Sequence, residues 1–244
     1  MQHLSIPAPY KQTDVSKKDQ VKAMFDNIAP RYDFLNHFLS LGIDKRWRKK
    51  AISLLQDEQP KIILDIATGT ADFAIEALTL QPHVIKGIDI SDEMLQIGRK
   101  KIKKINAGKK IELLAGDSEK INFDDNSFDA ITIGFGVRNF ENLSKGLTEI
   151  FRVLKKNGTL VILEFSTPEK FPVRQLYLFY FHNILPLLGK IISKDDRAYH
   201  YLPESVKAFP PGKDFIKLLN ETGFTDTKCI PLTFGIASIY TGKK

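Results

Sequence analysis

The sequence predicts an α/β domain on one doubly wound, mostly parallel sheet of seven strands, with helices before it and a helical insertion after the fifth strand. Three observations predict it. Short apolar runs at 62–64, 84–88, 111–115, 128–133 and 159–165 alternate with stretches of helical period, the rhythm of a parallel sheet. The first run ends in a carboxylate and a glycine-bearing turn, Asp65-Ile66-Ala67-Thr68-Gly69-Thr70. A helix then opens through Ala71, Phe73, Ala74, Ala77 and Leu78. Strand, glycine turn and helix together aim backbone N–H groups at a ligand. The chain's 244 residues and 43% apolar content suffice for a single domain with an ample core.

Residues 1–15 carry Pro7 and Pro9 without a period and read as a loose tail. A helical preface follows over 16–57. Val21, Met24, Phe25 and Ile28 fall at i, i+3, i+4 and i+7, and Pro30 is expected to end that helix. A second helix is expected from about 45 to 55, with Trp47, Ala51 and Leu54 on one side. This preface would lie over the open end of the sheet, and Trp47 would there either pack or touch a ligand. The core spans 60–165. Ser91 caps the helix after strand two, with Asp92 and Glu93 in its first turn. Strand three ends in Gly116-Asp117-Ser118, and strand four in Gly134-Phe135-Gly136-Val137-Arg138-Asn139. Leu143, Leu147, Ile150, Phe151 and Leu154 mark an amphipathic helix, and Asn157-Gly158 turns into strand five.

Residues 166–203 break the rhythm with dense apolar and aromatic runs, interrupted by Pro186 and Gly189 and too short to span a bilayer. They form either a lid or pocket for an apolar substrate, in contact with a membrane through 176–192, or a buried helix hairpin that completes the core. The remainder, 204–244, is read as one helix over about 203–222, with Phe215, Leu218 and Leu219 inward, then strands near 225–230 and 235–240.

The chemistry starts at strand two. It ends in Asp89, about 20 residues beyond Gly69, the spacing at which a carboxylate grips both hydroxyls of a ribose. An adenosine-containing cofactor is therefore expected. A dinucleotide needs G-x-G-x-x-G, yet the positions here are Gly69, Ala71 and Ala74. The glycine that would admit a pyrophosphate is missing, and Asp65 before the turn suits a cationic amine better.

Composition narrows the rest. One cysteine, Cys229, and the scattered His3, His37, His83, His182 and His200 leave no disulfide framework and no metal site. No signal-peptide pattern or membrane-length apolar run is present, so a cytoplasmic protein is expected, with peripheral membrane contact as the exception. Net charge is +7, concentrated at 99–110. Leu95, Gly98, Ile102 and Ile105 take the opposite face of that helix, which favours a solvated face over a nucleic-acid patch. A homodimer is kept as an expectation beside a monomer.

The Asp65–Asp72 pattern D-x-A-T-G-T-A-D resembles the first motif of class I, Rossmann-like S-adenosylmethionine-dependent methyltransferases. Tyr32-Asp33-Phe34-Leu35-Asn36, continuing to Ser40 and Trp47, resembles the N-terminal signature of the ubiquinone/menaquinone biosynthesis C-methyltransferases. Arg152-Val153-Leu154-Lys155 with Gly158 and Glu164-Phe165-Ser166 resembles their second signature. Ser127-Phe128-Asp129, the Gly134–Asn139 run and Tyr201-Leu202-Pro203-Glu204-Ser205 are similar to further family motifs. Asp44 departs from a frequent histidine, and Lys156-Asn157 from a common Pro-Gly.

The resemblance implies S-adenosylmethionine bound by Asp65, Gly69, Thr70, Asp89, Asp117, Ser118 and Gly134. It implies C-methylation of a polyprenylated quinol, either 2-demethylmenaquinol or the methoxy-benzoquinol precursor of ubiquinone. The Thr70-Ala71-Asp72 ending of the turn looks like members dedicated to the menaquinone branch.

A quinol carbon becomes nucleophilic when its neighbouring hydroxyl loses a proton, so an oxyanion must be stabilised. Arg138 is the expected catalytic residue: its guanidinium stays charged and can hold the phenolate and orient a water. Otherwise it is a salt bridge or helix cap that holds its loop. Tyr32, Asp33, His182, His200 and Tyr201 are lesser candidates for proton handling. A nucleic-acid methyltransferase is disfavoured, because the segment after strand four lacks the proline-bearing motif of base amino-group methylation. A binding module or scaffold without turnover is the non-enzyme alternative.

Overall fold

The apolar runs become strands β1 (Ile62–Ile66), β2 (Val84–Asp89), β3 (Ile111–Ala115), β4 (Phe128–Gly134) and β5 (Leu154–Phe165). The chain closes with β6 (Thr225–Leu232) and β7 (Ala237–Lys243). The computed structural model describes residues 7–40, 42–180, 183 and 196–244. All seven strands share one sheet in the order β3-β2-β1-β4-β5-β7-β6. The first five are parallel, and β7 runs antiparallel to both β5 and β6. The order reverses between β1 and β4, so a crevice opens beyond their C-terminal ends. Ile66 pairs with both Ile88 and Ile133, which sets the turn after β1, Asp89 and Gly134 on one rim.

Eight helices are described: α1 (Lys17–Leu39), α2 (Ile43–Ser53), α3 (Asp72–Ala77), α4 (Asp92–Lys104), α5 (Leu143–Val153), α6 (Val173–Phe179), α7 (Asp196–Ala208) and α8 (Lys213–Thr222). One face of the sheet packs Trp47, Ala51, Phe73, Ala74 and Leu95 from α2, α3 and α4. The other packs Leu147, Ile150, Phe215 and Leu219 from α5 and α8. Burial on both faces is why the parallel strands read as unbroken apolar runs.

Four expectations need correction. Leu154 does not belong to the amphipathic helix, which ends at Val153; it opens β5, and Asn157-Gly158 lie within that strand rather than before it. Pro30 does not end the first helix; it lies inside α1. Proline removes one helical hydrogen bond, but the helix is pinned on either side of it. Asp26 accepts from Ser91 Oγ at 2.6 Å, and Asp33 accepts from Thr70 Oγ1 at 2.5 Å. The single helix over 203–222 is two, α7 and α8. The break falls at Pro210-Pro211-Gly212, where two N–H donors are missing and Gly212 is left-handed at φ +50°. Ile105 does not share the inward face of α4; it caps the helix and is 47% exposed.

Pro231 in β6 sits on an edge strand, where a missing ladder donor is tolerated. Among the described residues no helix is long and apolar enough to cross a membrane.

Candidate active site

A crevice of about 660 Å³ opens at the switch point, roofed by Lys18, Val21, Phe25 and Tyr32 of α1. The helical preface therefore does cover the open end of the sheet. Its floor is the turn after β1, in which Ala67, Gly69 and Ala71 all take positive φ. That strained path aims the Gly69 N–H at Asp89 Oδ2, 2.8 Å away, while Ser91 N–H donates to Asp89 Oδ1 at 2.9 Å. Burial pushes the Asp89 carboxyl up to about 6, opposed by those backbone donors. Asp117, Ser118 and Gly134 line the same crevice. Asp117 already holds a cation, Lys18 Nζ at 2.7 Å.

Two predicted residues lie elsewhere. Asp65 is fully buried and not in this crevice; it accepts from Thr68 Oγ1 at 2.5 Å and Thr132 Oγ1 at 2.7 Å. Burial raises it to about 6 as well. Its place is to hold the turn from behind. Thr70 faces a smaller adjoining crevice, where its hydroxyl donates to Asp33 and accepts from Lys101 Nζ at 3.0 Å.

A second crevice of about 760 Å³ abuts the first across Phe25, Tyr32 and Phe135. It is walled by Met24, Ile28, Phe165 and Leu202, with Asp44, Arg48 and Arg138 as its charged groups. Arg138 is buried. Its Nη1 pairs with Glu164 Oε1 at 2.6 Å and donates to Phe135 O at 2.5 Å, and its backbone N–H reaches Glu164 Oε2 at 3.2 Å. The salt bridge posed as the alternative to catalysis is therefore present, and the guanidinium also lies on the wall of this crevice. Its Nε–H finds no partner among the described residues.

Tyr32 stands at the junction of the crevices, its phenol pushed up chiefly by burial. Tyr201 donates to Asn139 Oδ1 at 3.1 Å and is likewise raised by burial. Trp47 is buried, bonded to Thr233 Oγ1 at 2.8 Å and packed on Phe135 and Phe165, so it serves the core. His182 and the side chain of His200 lie outside the described residues.

Several site residues escaped sequence reasoning. Lys18 and Arg48 carried no motif of their own, and Asp72 was read only as the last residue of the cofactor-turn motif. Lys101 was read as part of a solvated basic face, yet it pairs with Asp33 at 2.7 Å and with Asp72. The available signal was compositional: acids at 33, 44 and 72 against a run of lysines.

The lining tests the cofactor. The first crevice presents four carboxylates, Asp89, Asp117, Glu119 and Glu141, against one lysine. That donor set repels a pyrophosphate and suits a cationic adenosine compound. S-Adenosylmethionine fits these residues.

The comparisons agree. The model of the ubiE/COQ5 methyltransferase family matches residues 13–244. A demethylmenaquinone methyltransferase of Bacteroides fragilis is 51% identical over 237 residues, covering 97% of this chain and 96% of that one. A ubiquinone/menaquinone biosynthesis C-methyltransferase UbiE of Geobacter sp. (strain M21) is 46% identical, with 93% and 97% covered. Among solved structures, a putative S-adenosylmethionine-dependent methyltransferase of Methanococcus maripaludis superposes with a TM-score of 0.64 at 19% identity, covering 91% of this chain and 94% of that one; this bears on the fold alone. The family match spans the preface, the cofactor turn and the Arg138 loop alike, and the chain belongs to the ubiE/COQ5 methyltransferase family.

Proposed function

We propose that the chain transfers a methyl group from S-adenosylmethionine to a ring carbon of a polyprenylated quinol, with 2-demethylmenaquinol as substrate and menaquinol as product. The observation that carries this reading is Arg138: a buried guanidinium, with one N–H left over, on the wall of an apolar crevice that abuts the cofactor crevice. The relatives named demethylmenaquinone methyltransferase, 51% and 42% identical, favour the naphthoquinol over the benzoquinol.

Each residue's part follows from its place. Asp89 takes the ribose hydroxyls, and Asp117, Ser118 and Gly134 border the rest of the adenosine. Thr70 and Asp65 hold the turn in shape. When bound, S-adenosylmethionine supplies a methyl carbon made electrophilic by its sulfonium. Arg138 stabilises the phenolate oxygen and orients the water that removes its proton. Glu164 fixes the guanidinium in place without taking its proton, because arginine stays charged in proteins. Phe135 and Phe165, stacked with centroids 4.4 Å apart, keep bulk water from the reacting carbon.

The tail of such a substrate is a membrane lipid, and the protein presents a matching surface. Leu176 is 66% exposed, Phe179 59% and Phe171 80%. We infer peripheral contact there, for which vesicle flotation of Leu176→Glu/Phe179→Glu is the check.

The reading is tested with short-tailed 2-demethylmenaquinol and, separately, the methoxy-benzoquinol, kept reduced and supplied with S-adenosylmethionine. Product from the naphthoquinol at the higher kcat/KM is expected. Product only from the benzoquinol transfers the assignment to the ubiquinone branch. No product from either, with S-adenosylhomocysteine still bound, removes the quinol assignment and leaves a binding module.

A further inference from the structure

We propose that Glu119 is a positioning residue for methyl transfer: from the turn after β3, its carboxylate seats the exit of the loop that carries Arg138, and so aims the guanidinium without touching the quinol. The proposal rests on Arg138 acting on the quinol oxyanion.

The Arg138 loop is held by a carboxylate at each end. Arg138 lies in one tight turn, Val137–Asn139, between β4 and α5. The entry is tied to β5: Phe135 N–H donates to Leu163 O at 2.7 Å, and the Arg138 N–H and guanidinium both bond Glu164. The exit is tied to Glu119, whose Oε1 accepts from Glu141 N–H at 2.8 Å and Asn142 N–H at 3.0 Å. Glu141 follows Arg138 closely in the chain, so a shift of the exit passes directly to the guanidinium.

Glu119 makes these bonds from beyond β3, a strand separated from β4 by β2 and β1. It is only 4% exposed, and a carboxylate leaves water at a cost unless donors replace that water. The loop exit supplies two donors and the roof helix a third, Lys18 Nζ, 3.3 Å from Glu119 Oε2. The roof meets the same exit again. Glu141 Oε1 accepts from Lys17 N–H at 2.8 Å, and Lys17 Nζ donates to Phe140 O at 2.7 Å. The cofactor rim joins the cluster through Glu119 N–H, which donates to Asp117 Oδ1 at 2.9 Å. One residue therefore sets the rim, the roof and the Arg138 loop against one another.

Loss of this carboxylate should loosen the exit rather than unfold the chain. Glu141 and Asn142 are exposed, so water can take their N–H groups once the loop moves outward. The cost then falls on alignment, where a misplacement of about 1 Å can lower a rate by about a hundredfold.

The experiment is a double-mutant cycle on the single-turnover rate of methyl transfer from labelled S-adenosylmethionine to reduced, short-tailed 2-demethylmenaquinol. Wild type, Glu119→Met, Arg138→Ala and the double variant are compared, with Glu119→Gln and Glu119→Asp beside them. Methionine keeps the length of the side chain but offers no acceptor oxygen. The Glu119→Met rate should fall about tenfold to a hundredfold, with S-adenosylhomocysteine affinity within about threefold of wild type. In the Arg138→Ala background the same change should cost less than about twofold, because a residue that acts through Arg138 then has nothing left to act on. Glu119→Gln retains an oxygen for the two N–H groups and should recover most of the rate. Glu119→Asp keeps the charge but withdraws it by one methylene, and should not.

Equal losses from Glu119→Met with and without Arg138 would assign Glu119 to the fold alone and overturn the proposal. A Glu119→Met rate equal to wild type overturns it too, as does Glu119→Asp matching Glu119→Gln. If Glu119→Met does not bind S-adenosylhomocysteine, the cycle is run with Glu119→Asp and the same outcomes decide. Wild type without product, or Arg138→Ala at the wild-type rate, removes the reading beneath the proposal, and the proposal with it.

Discussion

Asp89→Asn should separate binding from stability. The carboxylate uses both oxygens on the protein, one for Gly69 N–H and one for Ser91 N–H. Asparagine has one acceptor oxygen, so one of those donors then faces an NH₂ group, at a cost of about 1–3 kcal/mol. Against this stands desolvation. The acid is raised from its ordinary 3.8 to about 6, which disfavours its ionised form at neutral pH by up to about 3 kcal/mol. The residue is half-buried, so that figure is a ceiling. The two effects offset, and stability at pH 7 should change by no more than about 1–2 kcal/mol.

Cofactor affinity has no such offset. Loss of the charged ribose acceptor should cost about 1.5–3 kcal/mol, a Kd about tenfold to a hundredfold weaker. The sign with pH follows from the raised acid: the native state binds more protons than the unfolded one between 3.8 and about 6, so wild type gains stability as pH falls through that window. Whatever relief asparagine provides must therefore fade on acidification. Urea unfolding at pH 7 and pH 4 and calorimetry with S-adenosylhomocysteine read all of this. Unchanged affinity, or a loss of stability beyond about 3 kcal/mol at pH 7, would refute the reasoning.

Three further outcomes are expected. S-Adenosylmethionine binding should strengthen as pH rises through about 6 and then level off, releasing protons near pH 6 as Asp89 ionises; buffers of different ionisation enthalpy reveal those protons, and a flat profile from pH 5 to 8 would count against Asp89. Glu164→Leu should lower stability by about 3–5 kcal/mol in urea melts, because it strands the buried Arg138 guanidinium. Gly136→Ala would place a methyl 2.5 Å from Ala67 Cβ, so the cofactor turn must shift, at about 1–3 kcal/mol and with weakened S-adenosylhomocysteine binding. Gly108→Ala, with nothing within 4 Å, is the matched control.

What could be read from the sequence was local chemistry with a fixed period or spacing. The β1 turn and Asp89 were legible because one short strand–turn–helix unit builds them, and its neighbour lies at a set separation. The seven strands were legible because double-sided burial writes itself as apolar runs. Arg138 and Glu164 were noticed separately, but their pairing depends on β4 lying beside β5, with Gly134 opposite Leu163. The network from Asp33 through Lys101 and Asp72 to Arg48 joins four helices, α1 to α4, and no spacing announces it. Pro30 misled because local propensity was outweighed by anchors 65 and 37 residues away in sequence. The break at Pro210-Pro211-Gly212 was the reverse case: the local signal was plain, and reading one helix across it ignored two missing donors.

The account's central claim is that Arg138 stabilises a quinol oxyanion in the crevice beside the cofactor. Its most direct test is the single-turnover rate of methyl transfer from labelled S-adenosylmethionine to reduced, short-tailed 2-demethylmenaquinol by wild type and Arg138→Ala. The prediction is a rate lowered by about 10²–10³, or about 2.7–4 kcal/mol of barrier, with S-adenosylhomocysteine affinity unchanged. A variant that binds cofactor normally and methylates at the wild-type rate would contradict it.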